Sequence, residues 1–336
     1  MDTDPSGEMV RFWQAAASPV PVLIVGGGRW GKVWASVLSG AQESSKHLLI
    51  AARTDPEAVR VWADSDASVD HLVVCESIAE AVAQREELAM AIVCSRPQDH
   101  ERDVLEAFRY GLHVLVEKPI STTADSAMRM LLESQRVQRK LVVGTEFAYI
   151  PALHQCAHEW RLSARDSLEV RVCWEDPALE TRYGSSKSRH PEVDALGDLL
   201  PHAFSIFRVL APGRDFRVAG VSQSGDGQSG WIRFQDPRSG VFTLVFDLAA
   251  GKRKRCVEVA AGRDRVVIDF NEKRSSMTVN QRPHTLDPRL FPLTSTLRLQ
   301  WGAFITSLCE DRQQPEVDPS IPALIQLQRE LESFSR

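Results

Sequence analysis

The chain has 336 residues, more than one hydrophobic core usually supports, so two domains are expected. Apolar residues make up 43% of the sequence and charged residues 25%, the balance of an ordinary globular protein. The formal net charge of -5 argues against nucleic acid or an anionic membrane as a partner. No run of about 18 apolar residues occurs, so a membrane span is not expected.

The N-terminus and the cysteines both favour a cytoplasmic protein. Residues 1–19 begin with the acidic stretch MDTDPSGE, where a signal peptide would be basic, so we treat them as an N-terminal extension of unassigned role. The cysteines are scattered, without a CxxC pair or a histidine at zinc-finger spacing, and several lie in apolar runs, as buried free thiols do. They are Cys75, Cys94, Cys156, Cys173, Cys256 and Cys309. We therefore predict no metal site.

Residues 20–150 alternate between short apolar strands and helical segments. The predicted strands are PVLIVGGG, HLLIAART, LVVCES, MAIVCS, HVLVEKP and KLVVGTE, and the predicted helices are RWGKVWASVLSG, DPEAVRVWADS, IAEAVAQRE, ERDVLEAFRYG and residues 121–138. Asp55 is the expected cap of the second helix, with Pro56 at its first position. Near-continuous apolar strands joined by helices predict a doubly wound parallel sheet, an α/β architecture typical of nucleotide-binding domains.

Residues 151–336 are predicted to form a second domain of α+β class, because the pattern after residue 150 becomes one of alternating strands. The segments SLEVRVCWED, DFRVAGVSQS, SGWIRFQD, GVFTLVFDLAA, CVEVAAG and DRVVIDF have period two. This predicts a largely antiparallel open sheet with one packed face and one solvated face. The basic cluster GKRKRC, residues 251–256, is interpreted as a solvated hairpin end, and the helical segments after residue 294 could pack on either domain.

A glycine-rich turn follows the first strand. Its sequence GGGRWG, residues 26–31, has the G-x-G-x-x-G form between a strand and a helix. Gly26 and Gly28 leave room for the turn and for a pyrophosphate at the helix N-terminus, and Gly31 lets the helix approach the strand. This context predicts a Rossmann dinucleotide site, with Arg29 and Trp30 among its contacts.

The end of the second strand should carry the residue that contacts the cofactor ribose. That strand ends in Arg53 and Thr54, and the first acidic residue is Asp55. An acidic residue would accept from the 2′-hydroxyl of NAD, whereas Arg53 suits a 2′-phosphate and Thr54 can add a hydroxyl contact. We therefore predict NADP(H) in preference to NAD(H). A surface arginine beside a helix-capping Asp55 is the alternative.

The stretch HVLVEKPIS, residues 113–121, ends an apolar strand with Glu117, Lys118 and Pro119. Strand ends at the carboxyl edge of such a sheet face the cofactor, so Lys118 is predicted to pass a proton to or from substrate, and Glu117 to contact the cofactor ribose or position the lysine. An X–Pro bond is the kind that is cis at low cost, which offers a way to turn Lys118 inward. A surface lysine paired with Glu117 is the alternative.

The segment AIVCSRPQDHERDVLEAFRYGLHVLVEKPIS resembles the Gfo/Idh/MocA oxidoreductases. The residues that carry the resemblance are Ser95, His100, Gly111, His113 and the Glu117-Lys118-Pro119 triplet. The resemblance covers the whole nucleotide domain and continues more weakly to the C-terminus. It implies that Ser95 and His100 belong to the cofactor site. Arg96 stands where the family usually has proline, near the expected nicotinamide path.

The family's second signature is an aspartate and a histidine four residues apart on the first helix of the second domain. The segment GDLLPHAFSIFRVLAPG offers Asp198 and His202 at this spacing, on one helix face. Asp198 also suits a helix cap, and Pro201 is tolerated only in a first turn, so the helix is expected to begin there. The resemblance implies that His202 contacts the reacting oxygen and shuttles protons with Lys118, while Asp198 orients substrate. A capping aspartate beside a buried histidine is the alternative.

Two further segments are candidates for substrate binding. Residues 181–195 carry polar groups that could grip a phosphate or carboxylate, with Tyr183 and Arg189 the principal candidates. A solvated loop is the alternative for most of them. Near the predicted interdomain linker, Glu146 and Tyr149 are predicted to line the cleft, together with His154.

The sequence therefore predicts an NADP(H)-dependent oxidoreductase that interconverts a hydroxyl and a ketone. The resemblance implies a sugar, cyclitol or sugar-nucleotide substrate and a homodimer or homotetramer. We predict neither a nucleic-acid nor a membrane partner. An imine reductase and a non-catalytic dinucleotide-binding regulator remain alternatives, although Lys118, Asp198 and His202 argue against the regulator. NAD-dependent glycoside cleavage is a further alternative that Arg53 makes less attractive.

Overall fold

The computed structural model describes residues 4–42, 47–69, 71–178, 181–182, 185–186, 193–271, 275–290, 292–310 and 318–334. The chain divides into two compact units, each built from separate segments. One unit, called here the parallel-sheet unit, comprises Arg11–Thr145 and Leu297–Ile325. The other, called here the mixed-sheet unit, comprises Met1–Val10, Glu146–Thr296 and Gln326–Arg336. No helix among the described residues is long and apolar enough to cross a membrane.

The first part of the chain alternates strands and helices as predicted. Its helices are α1 (Pro5–Ala15), α2 (Arg29–Gln42), α3 (Pro56–Ser65), α4 (Ile78–Gln84), α5 (His100–Arg109) and α6 (Ala124–Val137). Its strands are β1 (Val22–Val25), β2 (Leu48–Ala51), β3 (Val73–Cys75), β4 (Met90–Val93), β5 (His113–Glu117) and β6 (Leu141–Gly144).

These six strands form one parallel sheet in the order β3-β2-β1-β4-β5-β6. All residues of β1, β2 and β4 are buried, as expected for strands covered on both faces. The chain reverses its direction across the sheet at β1 and β4, which lie side by side. Open parallel sheets bind ligands at such a switch point, outside the carboxyl ends of the strands. The predicted doubly wound sheet is confirmed.

The predicted start of α3 is also confirmed. Asp55 caps the helix by accepting from the Ala58 backbone N–H at 3.0 Å, and Pro56 occupies the first turn. The cap satisfies one of the backbone donors that a helix leaves unpaired at its N-terminus. This fixes where β2 gives way to α3, and hence the position of Arg53 and Thr54.

The remaining elements form a mixed α and β arrangement. The helices are α7 (Pro151–Glu159), α8 (Ala195–Leu210), α9 (Thr296–Glu310) and α10 (Ser320–Phe334). The strands are β7 (Glu169–Pro177), β8 (Thr181–Arg182), β9 (Ser185–Ser186), β10 (Arg217–Gln223), β11 (Ser229–Gln235), β12 (Val241–Ala250), β13 (Lys254–Ala261), β14 (Asp264–Asp269), β15 (Ser276–Val279) and β16 (Arg282–His284).

Eight of these strands form the sheet of the mixed-sheet unit, in the order β10-β11-β12-β7-β13-β14-β15-β16. Every pair is antiparallel except β12 with β7, which is parallel. One face packs against α8, whose Phe207 contacts Phe234 and Phe242 with ring centroids 5.6 and 5.3 Å apart. The predicted largely antiparallel sheet is confirmed, and its sequence pattern did not include β15 and β16.

Helix α9 packs in the parallel-sheet unit, which answers the question that the sequence left open. Its residues Leu297, Trp301 and Phe304 join the apolar core around Ile24 of β1. A Cβ at Gly302 would lie 1.7 Å from the Phe12 carbonyl oxygen, so glycine is required where α9 passes the end of α1. The Arg298 guanidinium lies over the Trp13 ring at 4.1 Å. Part of the predicted N-terminal extension is therefore a packed helix.

Candidate active site

The glycine turn after β1 is built by close backbone packing. Gly26 has φ +118°, and a Cβ there would lie 2.7 Å from the Ser95 backbone nitrogen at the end of β4. A Cβ at Gly31 would lie 1.9 Å from the Gly26 carbonyl oxygen, so α2 approaches the turn as predicted. At Gly28, by contrast, no heavy atom of the described residues, other than Gly28 itself and its two chain neighbours, lies within 4 Å of a Cβ position. The turn is tight on its protein side and open at Gly28.

Helix α2 begins at Arg29, directly after that open position. The first backbone N–H groups of a helix have no partner within it and favour anions. Arg29 adds a cation, 6.0 Å from the Trp30 ring, and Trp30 is partly buried against the core. The Ser95 Oγ atom is buried and has no hydrogen-bond partner within the described part of the chain. These residues fit the pyrophosphate and the polar groups of a dinucleotide.

Arg53 and Thr54 are exposed just beyond the end of β2, where the ribose contact is predicted. The Arg53 guanidinium donates to Asp103 Oδ1 at 3.1 Å and to Glu106 Oε2 at 2.8 Å, both on α5. Two carboxylates therefore hold the cation that was predicted to meet a 2′-phosphate. The sequence did not indicate this pairing, because Arg53 and α5 are far apart along the chain.

His100 connects the ends of two neighbouring strands. Its ring is buried, with Nε2 3.0 Å from the Ser95 carbonyl oxygen and Nδ1 3.0 Å from that of Pro119. Burial lowers the pKa of His100, and its backbone hydrogen bonds offset that shift only in part. Arg96 is exposed and pairs with Asp99 at 3.0 Å. The geometry makes His100 a brace between β4 and the residues after β5.

Glu117, the last residue of β5, is buried and held by two donors. The Trp34 indole N–H donates to Oε1 at 2.7 Å, and the Lys118 backbone N–H donates to Oε2 at 3.2 Å. Burial raises the pKa of Glu117, against the opposing effects of Trp34 and Lys118. Gly144 on β6 makes room for the carboxyl group, because a Cβ there would lie 3.1 Å from Oε2. The carboxyl group is thus fixed directly before Lys118.

Lys118 follows β5 and is partly buried. The Lys118–Pro119 peptide bond is cis. Gly26 follows β1, Ser95 follows β4 and Lys118 follows β5. Because these three strands are adjacent and parallel, the three residues lie at the same edge of the sheet, at the carboxyl ends of the strands. The sequence predicts these three positions for one site.

The mixed-sheet unit places a second cluster around His202 on α8. The buried imidazole stacks on Trp174 of β7, with ring centroids 5.0 Å apart and planes 8° apart. Phe147 meets the same imidazole edge-on at 4.7 Å, and Glu146 Oε2 lies 4.0 Å from His202 Nδ1. Asp198 lies one turn earlier on the same helix. Of the predicted substrate residues, the structure thus brings Glu146 to His202.

Trp174 is itself held by two further residues, Arg255 and Asp176. The Arg255 guanidinium lies 3.9 Å from the Trp174 ring centroid and donates to both carboxylate oxygens of Asp176 at 2.7 and 2.9 Å. The Trp174 indole N–H donates to Asp176 Oδ2 at 3.1 Å. All three residues are buried. The interpretation of residues 251–256 as a solvated hairpin end is therefore wrong for Arg255, which β13 turns toward the packed face of the sheet.

Trp174 and Arg255 were not among the predicted site residues. A signal was available for Trp174, because it shares the period-two apolar face of Val170 and Val172 on β7. For Arg255 the sequence carries no such signal, since its partner Asp176 is brought close only by the pairing of β13 with β7.

The start of α8 differs from the prediction. Asp194, not Asp198, caps the helix by accepting from the Gly197 backbone N–H at 2.7 Å. Pro201 lies inside the helix and cannot donate to the carbonyl of Gly197 four residues earlier. Because the helix begins at Ala195, about one helical turn precedes Asp198. The i, i+4 relationship of Asp198 and His202 is kept, although both lie deeper in the helix than expected.

The other predicted substrate residues are only partly described. Tyr149 is partly buried beside α7. His154 contacts the Ala148 carbonyl oxygen through Nε2 at 2.7 Å, and burial lowers its pKa. Tyr183 and Arg189 lie outside the described residues.

Comparison with known proteins identifies what the chain resembles. Residues 20–145 match the sequence model of an oxidoreductase family with an NAD-binding Rossmann fold. An inositol 2-dehydrogenase from Paracoccus denitrificans is 29% identical over 143 residues, which are 41% of this chain and 43% of that protein. The match spans less than half the length of this relative.

Solved structures share the fold along nearly the whole chain. A protein of gentamicin A biosynthesis, in complex with NAD, has a TM-score of 0.69 and 18% identity over 94% of this chain and 92% of that chain. A mutant 3-ketoreductase from Actinomadura kijaniata, in complex with TDP-benzene and NADP, has a TM-score of 0.67 and 14% identity over 94% of this chain and 96% of that chain. At these identities the likeness shows the fold alone, and it confirms the predicted fold class.

Proposed function

We propose that this chain is a nicotinamide-dependent oxidoreductase, because its residues 20–145 match the sequence model of the Gfo/Idh/MocA oxidoreductase family. The proposed reaction interconverts a hydroxyl and a ketone on a sugar, a cyclitol or a sugar nucleotide. The likeness to an inositol 2-dehydrogenase supports the cyclitol class. The 3-ketoreductase of similar fold is in complex with TDP-benzene, and this TDP-containing ligand supports the sugar-nucleotide class.

One observation carries the proposal: the glycine turn, Ser95 and Lys118 follow the carboxyl ends of three adjacent strands, at one edge of the parallel sheet. The open space at Gly28 and the buried Ser95 hydroxyl fit a dinucleotide. A bound nicotinamide supplies or accepts a hydride. Because ligands of such sheets bind outside the carboxyl ends of the strands, Lys118 is suited to move the accompanying proton.

In our proposal Lys118 is the general acid and base. Its ammonium group donates to the carbonyl oxygen during reduction, and its amine accepts from the hydroxyl during oxidation. Glu117 acts as a positioning residue, because its carboxyl group holds the backbone N–H of Lys118 and is itself held by Trp34. His100 restrains the same segment from the other side, through the Pro119 carbonyl.

His202 and Asp198 are proposed to act on the substrate. His202 would hydrogen-bond the reacting oxygen, and Asp198 would orient the substrate by accepting from a hydroxyl. The fixed plane of the His202 ring supports this role, since Trp174 and Phe147 hold the imidazole from two directions. Positioned groups of this kind reduce the entropy lost on reaching the transition state.

For the cofactor we propose NADP(H) over NAD(H), supported by Arg53 at the end of β2. Asp103 and Glu106 compete for this guanidinium, so a 2′-phosphate would bind Arg53 more weakly while both carboxylates hold it. Asp103 also accepts from Arg102 at 2.9 Å, which offers it a second cation when Arg53 turns away. Glu106 is then the principal competitor.

The test begins with titration of the purified protein with NADPH and NADH, followed by reduced-nicotinamide fluorescence. Keto-sugars, keto-cyclitols and sugar-nucleotide ketones are then screened for loss of that fluorescence. We expect binding of the reduced cofactor and turnover with a member of these classes. Turnover with cyclic imines alone would contradict the ketone proposal, and binding without turnover on any carbonyl would favour a regulator.

A further inference from the structure

Two cysteines meet on the face of the mixed sheet opposite to Trp174. In the antiparallel pair β7 and β13, Cys173 lies directly opposite Cys256. Glu258 follows Cys256 by two residues, so period-two alternation places it on the same face. On that face Lys254 is opposite Glu175, and Glu258 is opposite Arg171. The cross-strand cysteine pair therefore lies between two cross-strand pairs of opposite charge.

The three possible donor atoms are close together. The two Sγ atoms and a Glu258 carboxylate oxygen all lie within 4.8 Å of one another, and Cys173 Sγ is 4.0 Å from Glu258 Oε1. In a tetrahedral zinc site, Zn–S bonds of about 2.3 Å and Zn–O bonds of about 2.1 Å place the donors roughly 3.5 to 3.8 Å apart. Side-chain rotations that move the donor atoms by a few tenths of an ångström to about 1 Å would bring the three atoms to that spacing. The strand backbones would not need to move.

Cysteine binds metal as the thiolate, so a metal ion at this site would displace the thiol protons of Cys173 and Cys256.

We propose that Cys173, Cys256 and Glu258 form a site for a thiophilic divalent cation of the zinc class. Two sulfur donors disfavour magnesium and calcium, which prefer oxygen ligands. The carboxylate supplies a third donor, which a simple dithiol pair lacks, and its partial exposure leaves the fourth position accessible to water. The ion would cross-link β7 and β13 in the interior of the eight-stranded sheet. This site is independent of the proposed oxidoreductase activity.

The experiment is a Co²⁺ titration of the full-length protein, purified under reducing conditions and freed of metal with a chelator. Thiolate-to-cobalt charge-transfer absorption reports sulfur ligation, and competition with Zn²⁺ gives the zinc affinity. We expect one equivalent to bind, with the absorption lost in Cys173→Ser and Cys256→Ser. Glu258→Gln should keep a sulfur-ligated complex and weaken its affinity at least about tenfold, the loss seen even for outer-shell partners. Zn²⁺ should raise the Tm of the parent protein and not that of Cys256→Ser.

The matched control is Cys309→Ser, which removes an exposed thiol and should leave the titration unchanged. Circular dichroism and dinucleotide binding verify that each variant is folded. No thiolate-to-cobalt absorption in the reduced parent protein would overturn the proposal. It would also be overturned if the absorption survived the loss of both Cys173 and Cys256, or disappeared in Cys309→Ser. Because no outcome depends on turnover, failure of this proposal is distinguishable from failure of the proposed function.

Discussion

The imidazole of His202 lies flat against the indole of Trp174, and the guanidinium of Arg255 lies over the same indole. Both groups therefore contact the same indole. Asp176 anchors this stack by accepting from both Trp174 and Arg255. The orientation of the proposed catalytic histidine is therefore supported, through Trp174, by the buried ion pair of Asp176 and Arg255.

Replacement of Trp174 tests this arrangement. Trp174→Leu should lower turnover roughly ten- to a hundredfold, because a freed imidazole loses its orientation. Trp174→Phe keeps a flat ring and should retain more of the activity. Dinucleotide affinity should be unchanged in both variants, and the pH profile of turnover should change in the leucine variant. Equal turnover losses in the two variants would contradict an orienting role.

Replacement of Lys118 tests the proton transfer. Lys118→Ala should lower turnover by roughly 10² to 10⁴, the usual contribution of a general acid–base group, and leave cofactor affinity nearly unchanged. The control is Lys252→Ala, which removes an exposed lysine between β12 and β13. Near-native turnover of the Lys118 variant, measured by reduced-cofactor consumption, would rule out the proposed role.

Glu106 offers a test of cofactor preference that does not remove Arg53. Glu106→Gln keeps the size of the side chain and removes the charge that competes for the guanidinium at 2.8 Å. NADPH should bind about two- to fivefold more tightly, since partly exposed ion pairs are worth up to about 1 kcal/mol, and NADH affinity should not change. In Arg53→Asp the opposite is expected, with NADPH weakened far more than NADH. If both cofactors respond equally, Arg53 does not contact the 2′-phosphate.

The open space at Gly28 distinguishes a ligand-binding glycine from a structural one. Gly28→Ala places its methyl group where, apart from the neighbouring residues of the chain, no heavy atom in the described ranges lies within 4 Å, so the free energy of unfolding should change by less than about 0.5 kcal/mol. Dinucleotide affinity should fall at least about tenfold, because the methyl group enters the space predicted for the pyrophosphate. Gly40→Ala, another glycine with open space around it, should leave affinity intact. Unchanged affinity in Gly28→Ala, by fluorescence titration, would place the phosphates elsewhere.

His113 makes stability depend on pH. Burial, followed by Arg139 and Lys140, lowers its pKa to about 4, and its Nδ1 accepts the Lys140 backbone N–H at 3.0 Å. Below the ordinary value near 6.5 the unfolded chain binds a proton that the folded chain resists, so stability falls as the pH falls from about 6.5 toward 4. Urea unfolding should show His113→Gln losing about 2 kcal/mol less than the parent protein over this range. Exposed His158 provides the control, and an equally steep loss in His113→Gln would contradict the assignment.

The sequence predicted best what depends on local chemistry. The glycine turn, the capping of α3 by Asp55 and the placement of Lys118 at a strand end follow from residues that are close in the chain. The predicted start of α8 was wrong because Asp198 and Pro201 match a first-turn pattern, whereas Asp194 provides the actual cap.

What escaped prediction depends on residues brought together from distant parts of the chain. The Asp103 and Glu106 partners of Arg53, the Asp176 partner of Arg255 and the meeting of Cys173 with Cys256 all require tertiary pairing. A single sequence shows which side chains lie on one face of a strand. It does not show which strand will lie next to it, and so it leaves such partners open.

The position of α9 has a consequence for the order in which the chain folds. The sheet that carries the glycine turn completes its core with Leu297, Trp301 and Phe304, which follow the whole second sheet along the chain. During translation, the apolar surface of β1 and α2 therefore stays uncovered until most of the mixed-sheet unit has left the ribosome. A fragment ending near residue 150 should therefore expose that surface and aggregate, however complete its strand pattern is.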